Sequence, residues 1–317
     1  MNKAFIALLA LILLTGAALA DAVSITVPWL TMNPGARPGG MGKAFTAIAD
    51  DVHATYYNPA GLGFFTQHMV GAMHSDRSIE GNDIYYDYLG YIHHFENVGT
   101  FGLWALYSNA GLIPITRDSP QPQGYMAAYG FSVGLSYGLA VIEDALGVGG
   151  SLKFIYDHLS NDNVGQAVAF DAGVLWKTPL PKLSVGAMVM NLGTDLVYLS
   201  VPQPLPRMAK LGLAYEIPFG DDFNEMRFSI DYSKYLLDLK DDLATELGEA
   251  VLGAGVEYWY AGIVGVRVGY YSEESADVRG TSFGFSVRYL GIQFDFAQQP
   301  EGELFGMKNR FSVSFTF

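Results

Sequence analysis

The sequence predicts an all-β fold, a transmembrane antiparallel β-barrel of about 14 strands. Three observations support this prediction. Large apolar residues alternate with small or polar ones over most of the chain after residue 66, which is the period-two pattern of strands with two different faces. Half of the residues are hydrophobic and only 16% are charged, below the roughly 25% of a soluble protein. Beyond the N-terminus, no apolar run is long enough to cross a bilayer as a helix.

The alternation is cleanest in the last segment, residues 309–317. One predicted face carries Phe311, Val313, Phe315 and Phe317, and the other carries Ser312, Ser314 and Thr316. A soluble β-sandwich also alternates, but it packs its apolar face into a core between two sheets. A membrane barrel turns that face toward lipid and directs small, polar and charged residues into its lumen. The low charge and the many strands favour the barrel.

Fourteen segments have the alternation of a strand, and most are close to the roughly 9–11 residues that a tilted strand needs to cross the hydrocarbon. An even number is usual in bacterial barrels. The predicted spans are 66–75, 83–95, 99–108, 125–139, 147–158, 165–177, 183–191, 207–217, 225–235, 250–260, 262–271, 281–289, 291–297 and 309–317.

The connections between these segments are sorted by length. The longer ones follow odd-numbered segments and include 109–124, 192–206, 236–249 and 298–308. Short ones follow even-numbered segments, as at 96–98 and Leu290. Outer-membrane barrels have short periplasmic turns and longer extracellular loops. The sorting therefore predicts that both ends of the barrel lie in the periplasm.

Residues 1–20 are predicted to be a cleaved secretory signal. Lys3 provides a positive start, an apolar run follows from Ala4 to Leu14, and residues 18–20 form an A-x-A cleavage site. An uncleaved anchor helix is the alternative. Export and the barrel pattern together predict the outer membrane of a Gram-negative type of cell, with its lipid as a partner. The terminal Phe317 resembles the signal that barrel-assembly machinery recognises, so we expect Phe315 and Phe317 to serve as that signal.

Residues 21–65 lack the alternation and are punctuated by Gly, Pro and Ala. Residues 39–51, Gly-Gly-Met-Gly-Lys-Ala-Phe-Thr-Ala-Ile-Ala-Asp-Asp, are followed by Tyr-Tyr-Asn-Pro-Ala-Gly-Leu at 56–62. These two segments resemble the N-terminal signature of the PorV/PorQ family, which belongs to the FadL-like outer-membrane proteins. The rest of the chain matches that family in architecture only.

The resemblance implies that residues 21–65 fold into the lumen as a hatch, with residues 66–317 as the barrel. A barrel of about fourteen strands is too wide for its own side chains to fill, so a plug is physically reasonable. We expect a structural or gating role for the hatch motif, namely Gly40, Gly42, Asp50, Asp51, Asn58, Pro59, Ala60 and Gly61. The glycines would permit close backbone approach or positive φ, and Asn58 would hydrogen-bond backbone groups. Residues 44–49 are expected to form one or two helical turns.

The sequence predicts a protein that is not an enzyme and needs neither cofactor nor metal. No nucleophile–base set or phosphate loop stands out, and His93 and His94 would point to opposite faces of one strand. The absence of cysteine excludes disulfides and thiolate ligands. A formal charge of −14 argues against nucleic acid as a partner.

Two functions remain open. The PorV/PorQ resemblance implies a secretion-associated barrel that binds secreted proteins or translocon components, as in type IX secretion. The alternative is a FadL-like transporter for small hydrophobic molecules such as long-chain fatty acids. The first predicts an obstructed lumen and exposed, defined loops. The second predicts an apolar pocket between the hatch and the barrel wall and a lateral break in the wall.

Overall fold

The computed structural model describes residues 27–79, 82–116, 121–160, 162–219, 223–236 and 250–317. The predicted signal peptide, residues 1–20, lies outside the described residues, as does most of the loop predicted over 236–249. Within the described part of the chain, none of the helices is both long enough and apolar enough to cross a membrane.

Fourteen antiparallel strands form a closed ring, which confirms the predicted fold class. Each predicted strand span overlaps one of them. The strands are β1 (Met69–Asp76), β2 (Tyr85–Phe95), β3 (Gly99–Pro114), β4 (Tyr125–Ile142), β5 (Leu146–Ser160), β6 (Asn163–Lys177), β7 (Leu183–Gly193), β10 (Met208–Pro218), β11 (Asn224–Tyr235), β12 (Val251–Tyr260), β13 (Val264–Glu273), β14 (Val278–Tyr289), β15 (Ile292–Pro300) and β16 (Met307–Thr316). A two-stranded hairpin, β8 (Leu196–Tyr198) and β9 (Val201–Gln203), lies between β7 and β10.

The ring closes between its first and last strands, where β1 pairs with β16 from Met69 opposite Thr316 to Ser75 opposite Arg310. The strands differ in length around the ring. We call β3–β6, which are 15–18 residues long, the tall side. We call β12–β16 together with β1, which are 8–12 residues long, the short side.

The two faces of the wall are sorted as the alternation predicts. In β13, Val264, Val266 and Val268 are exposed on the outside, whereas Arg267 between them is buried on the lumenal side. A closed wall with unpartnered apolar side chains outside and charge inside is the arrangement of a lipid-facing barrel.

The two rims of the barrel differ in their connections. The turn end carries the connections 96–98, 143–145, 178–182, 261–263 and 290–291, together with the end of β10, the start of β11, the start of β1 and the end of β16. The opposite rim, which we call the loop end, carries longer connections such as 301–306 and the β8–β9 hairpin, although β5 and β6 are only two residues apart there. This hairpin was expected to be irregular loop, and β3 continues to Pro114 into the predicted loop 109–124.

Residues 44–49 form a single hydrogen-bonded turn, in which the carbonyl oxygen of Phe45 accepts from Ile48 N at 3.1 Å and from Ala49 N at 3.0 Å, and no longer helix is present there. The Asp231 carboxylate of β11 accepts hydrogen bonds from the N–H groups of Phe45 and Thr46 at 3.0 and 2.9 Å, which are the donors at the start of this turn, and so ties the turn to the wall. Ala49, with a φ of +38°, ends the turn. Two short helices lie on either side, α1 (Ala36–Gly40) and α2 (Ala54–Tyr57).

The main apolar core of the described residues lies inside the barrel. Phe45, Tyr57 and Leu62 pack against lumenal side chains of the wall such as Trp104 and Met188. The N-terminal segment is therefore part of the folded core of the barrel.

Candidate functional site

Residues 27–65, which we call the plug segment, run through the lumen from one rim to the other. At the loop end, Trp29 Nε1 donates to Asp157 Oδ1 on β5 at 2.7 Å, and the hydroxyl of Tyr198 on the β8–β9 hairpin donates to the other carboxylate oxygen at 2.6 Å. At the turn end, Lys177 Nζ lies 3.9 Å from the ring centroid of Phe64. The plug segment therefore contacts the barrel at both rims.

Glycines of the wall allow the plug segment to approach at backbone distance. A Cβ atom added at Gly138 would lie 2.5 Å from the carbonyl oxygen of Pro59. The plug backbone comes equally close at Gly149, Gly186, Gly255 and Gly269, and plug side chains pack against Gly71, Gly102 and Gly173, so that such sites occur around most of the ring. Much of the abundant glycine of this sequence therefore makes room for the plug.

Gly40 and Gly42 lie where the plug meets β13 and β14. Gly42 has a φ of +63° and packs against the backbone of Tyr270. Gly40 lies against Arg267 and Gly284, and its carbonyl oxygen accepts a hydrogen bond of 3.2 Å from Ser282 Oγ. A side chain at either position would collide with the wall.

Arg37 of α1 is the charged link between the plug segment and the wall. Its Nε and Nη2 atoms donate to Glu257 of β12 at 2.8 and 2.7 Å. Its Nη1 atom contacts Asp50 at 2.5 Å and Asp51 at 3.2 Å. Asp50 also accepts from Arg227 of β11 at 2.7 Å. Nothing in the sequence marks Glu257 or Arg227 as partners of this cluster, because both are distant from Arg37 in the chain.

The electrostatics of this cluster favour the ionised forms. Burial opposes the charge on Arg37, but the carboxylates of Asp50 and Glu257 outweigh it and raise the pKa of Arg37 above its usual value. Burial alone would raise the pKa of Asp51. His53, whose N–H groups donate to Asp51 at 2.8 and 2.9 Å, and Arg37 instead lower that pKa to about 2.

Asn58 ties three pieces of backbone together. Its Nδ2 atom donates to the carbonyl oxygens of Thr46 at 2.9 Å and of Val174 on β6 at 3.1 Å, and its Oδ1 atom accepts from Ala60 N at 3.1 Å. Its extended conformation, φ −167° and ψ 101°, suits a residue before proline. Pro59 then begins a short 3₁₀ helix through Phe64.

Gly61 lies within that 3₁₀ helix, against the backbone of Ala49, and Ala60 is fully buried. Asn58 and Ala60 are fully buried and line neither of the two large cavities, whereas Gly61 borders the cavity at the turn end.

A cavity of about 940 Å³ opens at the loop end. Its lining includes Trp29, Met32 and Lys43 of the plug segment, with Tyr198 and Phe305 from the loops. Within the described ranges, no carboxylate lies within ion-pair distance of Lys43; its Nζ atom sits 3.8 Å from the ring centroid of Tyr271. Burial lowers the pKa of Lys43 to about 8. Nothing in the sequence marks Lys43 as a ligand contact.

A second cavity, of about 540 Å³, opens at the turn end. It is lined in part by Asp50, Asp51 and Phe64 of the plug segment and by Lys177 and Arg288 of the wall. No described residue lines both large cavities, because the packed middle of the plug segment lies between them.

Phe315 and Phe317 lie at the turn end, on the outer face beside the β1–β16 pairing that closes the ring. Both side chains are exposed, and their rings stack with centroids 5.4 Å apart. The backbone of Phe317 exchanges two hydrogen bonds with His68, of 3.1 and 3.0 Å, which extends the pairing of β16 with the start of β1.

Solved structures with this architecture include hydrocarbon channels. A deltaS2S3 mutant of the monoaromatic hydrocarbon channel TodX is 13% identical, with 90% of this chain and 98% of that chain covered and a TM-score of 0.57. The toluene transporter TodX of P. putida is 12% identical, with 90% and 96% covered and a TM-score of 0.54. A FadL homologue of Pseudomonas aeruginosa is 12% identical, with 94% and 99% covered and a TM-score of 0.51. At such identities the likeness establishes a common fold.

The sequence comparisons identify a family. No curated protein matches the chain. The model of an uncharacterised protein family, UPF0164, matches residues 23–194, which is more than half of the chain and includes the plug segment. The narrower assignment to PorV/PorQ stays a prediction. The chain therefore belongs to the uncharacterised protein family UPF0164, on a barrel fold that it shares with TodX and a FadL homologue.

Proposed function

We propose that this protein is an outer-membrane barrel that takes up small hydrophobic molecules through the cavity at its loop end. The loop end would face the outside of the cell and the turn end the periplasm, as in other outer-membrane barrels. The observation that carries the proposal is the loop-end cavity itself. Its volume of about 940 Å³ falls within the range of about 300–1,000 Å³ that is usual for small-molecule sites, and Trp29, Met32, Tyr198 and Phe305 give it an apolar and aromatic lining.

Lys43 is one of several charged residues in the lining of this cavity, with Arg77, Asp157, Glu273 and Glu301. Its ammonium group has no ion-pair partner among the described residues and lies beside the ring of Tyr271. An amphiphile with an anionic head group, such as a fatty acid, would place its carboxylate near Lys43 and its apolar chain along Trp29 and Phe305. The solved structures of similar fold are described as a toluene transporter and a FadL homologue, which supports the same class of cargo.

The secretion-associated role implied by the PorV/PorQ resemblance is a weaker proposal. It rests on the amino-acid sequence of residues 39–62, whereas the cavity and the structural neighbours both favour uptake of a small molecule. Secreted proteins or translocon components would be its partners. Under either function, lipid surrounds the barrel and the assembly machinery would recognise Phe315 and Phe317.

The test fills the cavity without touching the core. Ala110 is exposed on β3 and lines the loop-end cavity, so Ala110→Trp would place an indole in the path of the ligand. Ala127 is exposed on the neighbouring strand β4 and does not line the cavity, so Ala127→Trp is the matched control. We expect the purified protein to bind radiolabelled fatty acid or toluene saturably. Ala110→Trp should weaken binding by roughly tenfold or more, equivalent to about 1.4 kcal/mol, while Ala127→Trp leaves it unchanged.

Absence of saturable binding of either compound would overturn the uptake proposal. If secreted proteins then copurified with the barrel, the secretion-associated role would take its place.

A further inference from the structure

The turns at the turn end differ in charge between the two sides of the barrel. On the tall side, the connections 96–98, 143–145 and 178–182 each contain a charged residue, namely Glu96, Glu143 with Asp144, and Lys182. On the short side, the connections 261–263 and 290–291 read Ala-Gly-Ile and Leu-Gly and contain none.

The uncharged turns expose large apolar side chains. Leu290 is 78% exposed and Ile263 is 48% exposed, and the flanking Tyr289 and Tyr260 are 70% and 57% exposed. These side chains continue the apolar outer face of β13–β16 past the ends of the strands. In water, such a surface would carry an unfavourable hydrophobic free energy.

Strand length gives an independent reason for lipid contact at these turns. On the outside of β15, the apolar stretch begins at Ile292 and is limited by the polar Gln298, which lies six residues farther along the strand. At about 3.3 Å per residue and a tilt of about 40°, this stretch spans only about 15 Å along the membrane normal. The apolar band of an outer-membrane barrel is about 25 Å tall. The short strands therefore do not supply the whole band.

The apolar outer face of the neighbouring strand β16 is equally short, whereas the apolar outer face on the tall side is longer. On β16, the outer face runs from Phe315 to Asn309, whose side chain meets that of Gln298 in a polar row. On β6, ten residues separate Trp176 from the exposed Gln166, which corresponds to about 25 Å along the membrane normal. The tall side can therefore cross the band without its turns.

Four backbone groups of the uncharged turns have hydrogen-bond partners within the protein. In hydrocarbon, backbone N–H and C=O groups need partners within the protein. Ile263 N donates to Tyr260 O at 2.9 Å, and Ile263 O accepts from Arg288 N at 2.7 Å. Ala261 N donates to Phe223 O at 2.6 Å, and Gly291 O accepts from Thr316 N at 2.9 Å.

We propose that the turns 261–263 and 290–291 lie within the lipid hydrocarbon of the leaflet at the turn end. The barrel is seated deeper in the bilayer on its short side than on its tall side, where the charged turns stay at the aqueous surface. The interaction surface is formed by Ile263 and Leu290 with their flanking tyrosines, and its partner is the acyl chains of the membrane lipid.

Single-cysteine labelling tests the proposal, because the sequence contains no cysteine. Leu290→Cys and Ile263→Cys report on the short side. Val98→Cys is the matched control, because Val98 is an apolar turn residue of 52% exposure in the connection that also contains Glu96. Each purified full-length mature variant is labelled with a polarity-sensitive fluorophore and placed in phosphatidylcholine nanodiscs, in which both membrane faces are accessible.

We expect spin labels on the acyl chains to quench the fluorophores at positions 290 and 263 several-fold more strongly than the fluorophore at position 98. Iodide in the buffer should show the reverse order. The proposal is wrong if iodide quenches position 290 as strongly as position 98, or if all three fluorophores respond equally to the acyl-chain spin labels.

Discussion

Arg37 and Glu257 form a two-bonded ion pair that joins the plug segment to β12, with donor–acceptor distances of 2.8 and 2.7 Å. Both side chains are almost completely buried, with exposures of 5% and 1%. A pair of this kind costs desolvation to form, so its net contribution is small, but loss of one partner leaves a buried charge. The pair therefore holds the plug in one position against one part of the wall.

Glu257→Gln is predicted to destabilise the barrel by about 3 kcal/mol, near the lower end of the roughly 3–5 kcal/mol range for breaking a buried pair. The lower end applies because Arg37 keeps Asp50 and Asp51 as partners, and Arg267, which also pairs with Glu257, keeps Asp295. Equilibrium unfolding in urea, in detergent or vesicles, measures the change. Glu225→Gln is the control, because Glu225 pairs with Arg227 at the surface and should contribute less than about 1 kcal/mol. Equal losses in the two variants would contradict this account of the ion pair.

Asp51 should make the stability of the barrel depend on pH in the acid range. Its pKa is about 2 in the folded protein against an ordinary value of 3.8. The folded state therefore binds fewer protons than the unfolded state between these values, so the stabilisation is present above pH 3.8 and is lost as the pH falls toward 2. The shift corresponds to about 2 kcal/mol at most.

The measurement is the unfolding free energy from pH 5 to pH 2 for the native chain and for Asp51→Asn. The native chain should lose more stability across this window than the variant. Parallel curves would show that Asp51 is not responsible.

Lys43 should make the binding of anionic ligands depend on pH in the alkaline range. Because burial lowers its pKa to about 8, the ammonium group is charged below this pH and neutral above it. Affinity for a fatty acid is predicted to fall as the pH rises from 7 to 9, whereas affinity for toluene stays constant. Lys43→Met should remove the pH dependence for the fatty acid. An unchanged profile in Lys43→Met would place the carboxylate elsewhere.

The alternation predicted every barrel strand because one face of each strand meets lipid and the other meets the plug, a constraint that acts residue by residue. The alternation also divides the tyrosines of β2 between the lumenal and the outer face. Tyr86 and Tyr88 are buried in the lumen, and the hydroxyl of Tyr88 donates to the carbonyl oxygen of Val52 at 2.8 Å, while Tyr91 is exposed on the outside.

The plug was less predictable, because its conformation depends on wall residues that are far away in the chain. The turn that begins at Phe45 is held by Asp231, which accepts from Phe45 N and Thr46 N and lies 185 residues away from Thr46 in the chain. The partners of Arg37 likewise depend on how the plug sits against β11 and β12. Local propensity contains no information about either contact.

The close packing of the plug leads to a last prediction, about Gly138. Alanine at this position would bring a Cβ atom to 2.5 Å from the carbonyl oxygen of Pro59, so the backbone of the plug would have to shift. We expect Gly138→Ala to destabilise the barrel by more than about 2 kcal/mol, as overpacking of a rigid core does. Gly124, just before β4, is the control: its Cβ atom would meet only Ile115, at 3.8 Å, so alanine there should change stability by less than about 0.5 kcal/mol. Urea unfolding compares the two variants. If Gly138→Ala were as stable as the native chain, the plug would be loosely seated and free to move, and a path through the centre of the barrel would become the better explanation of uptake.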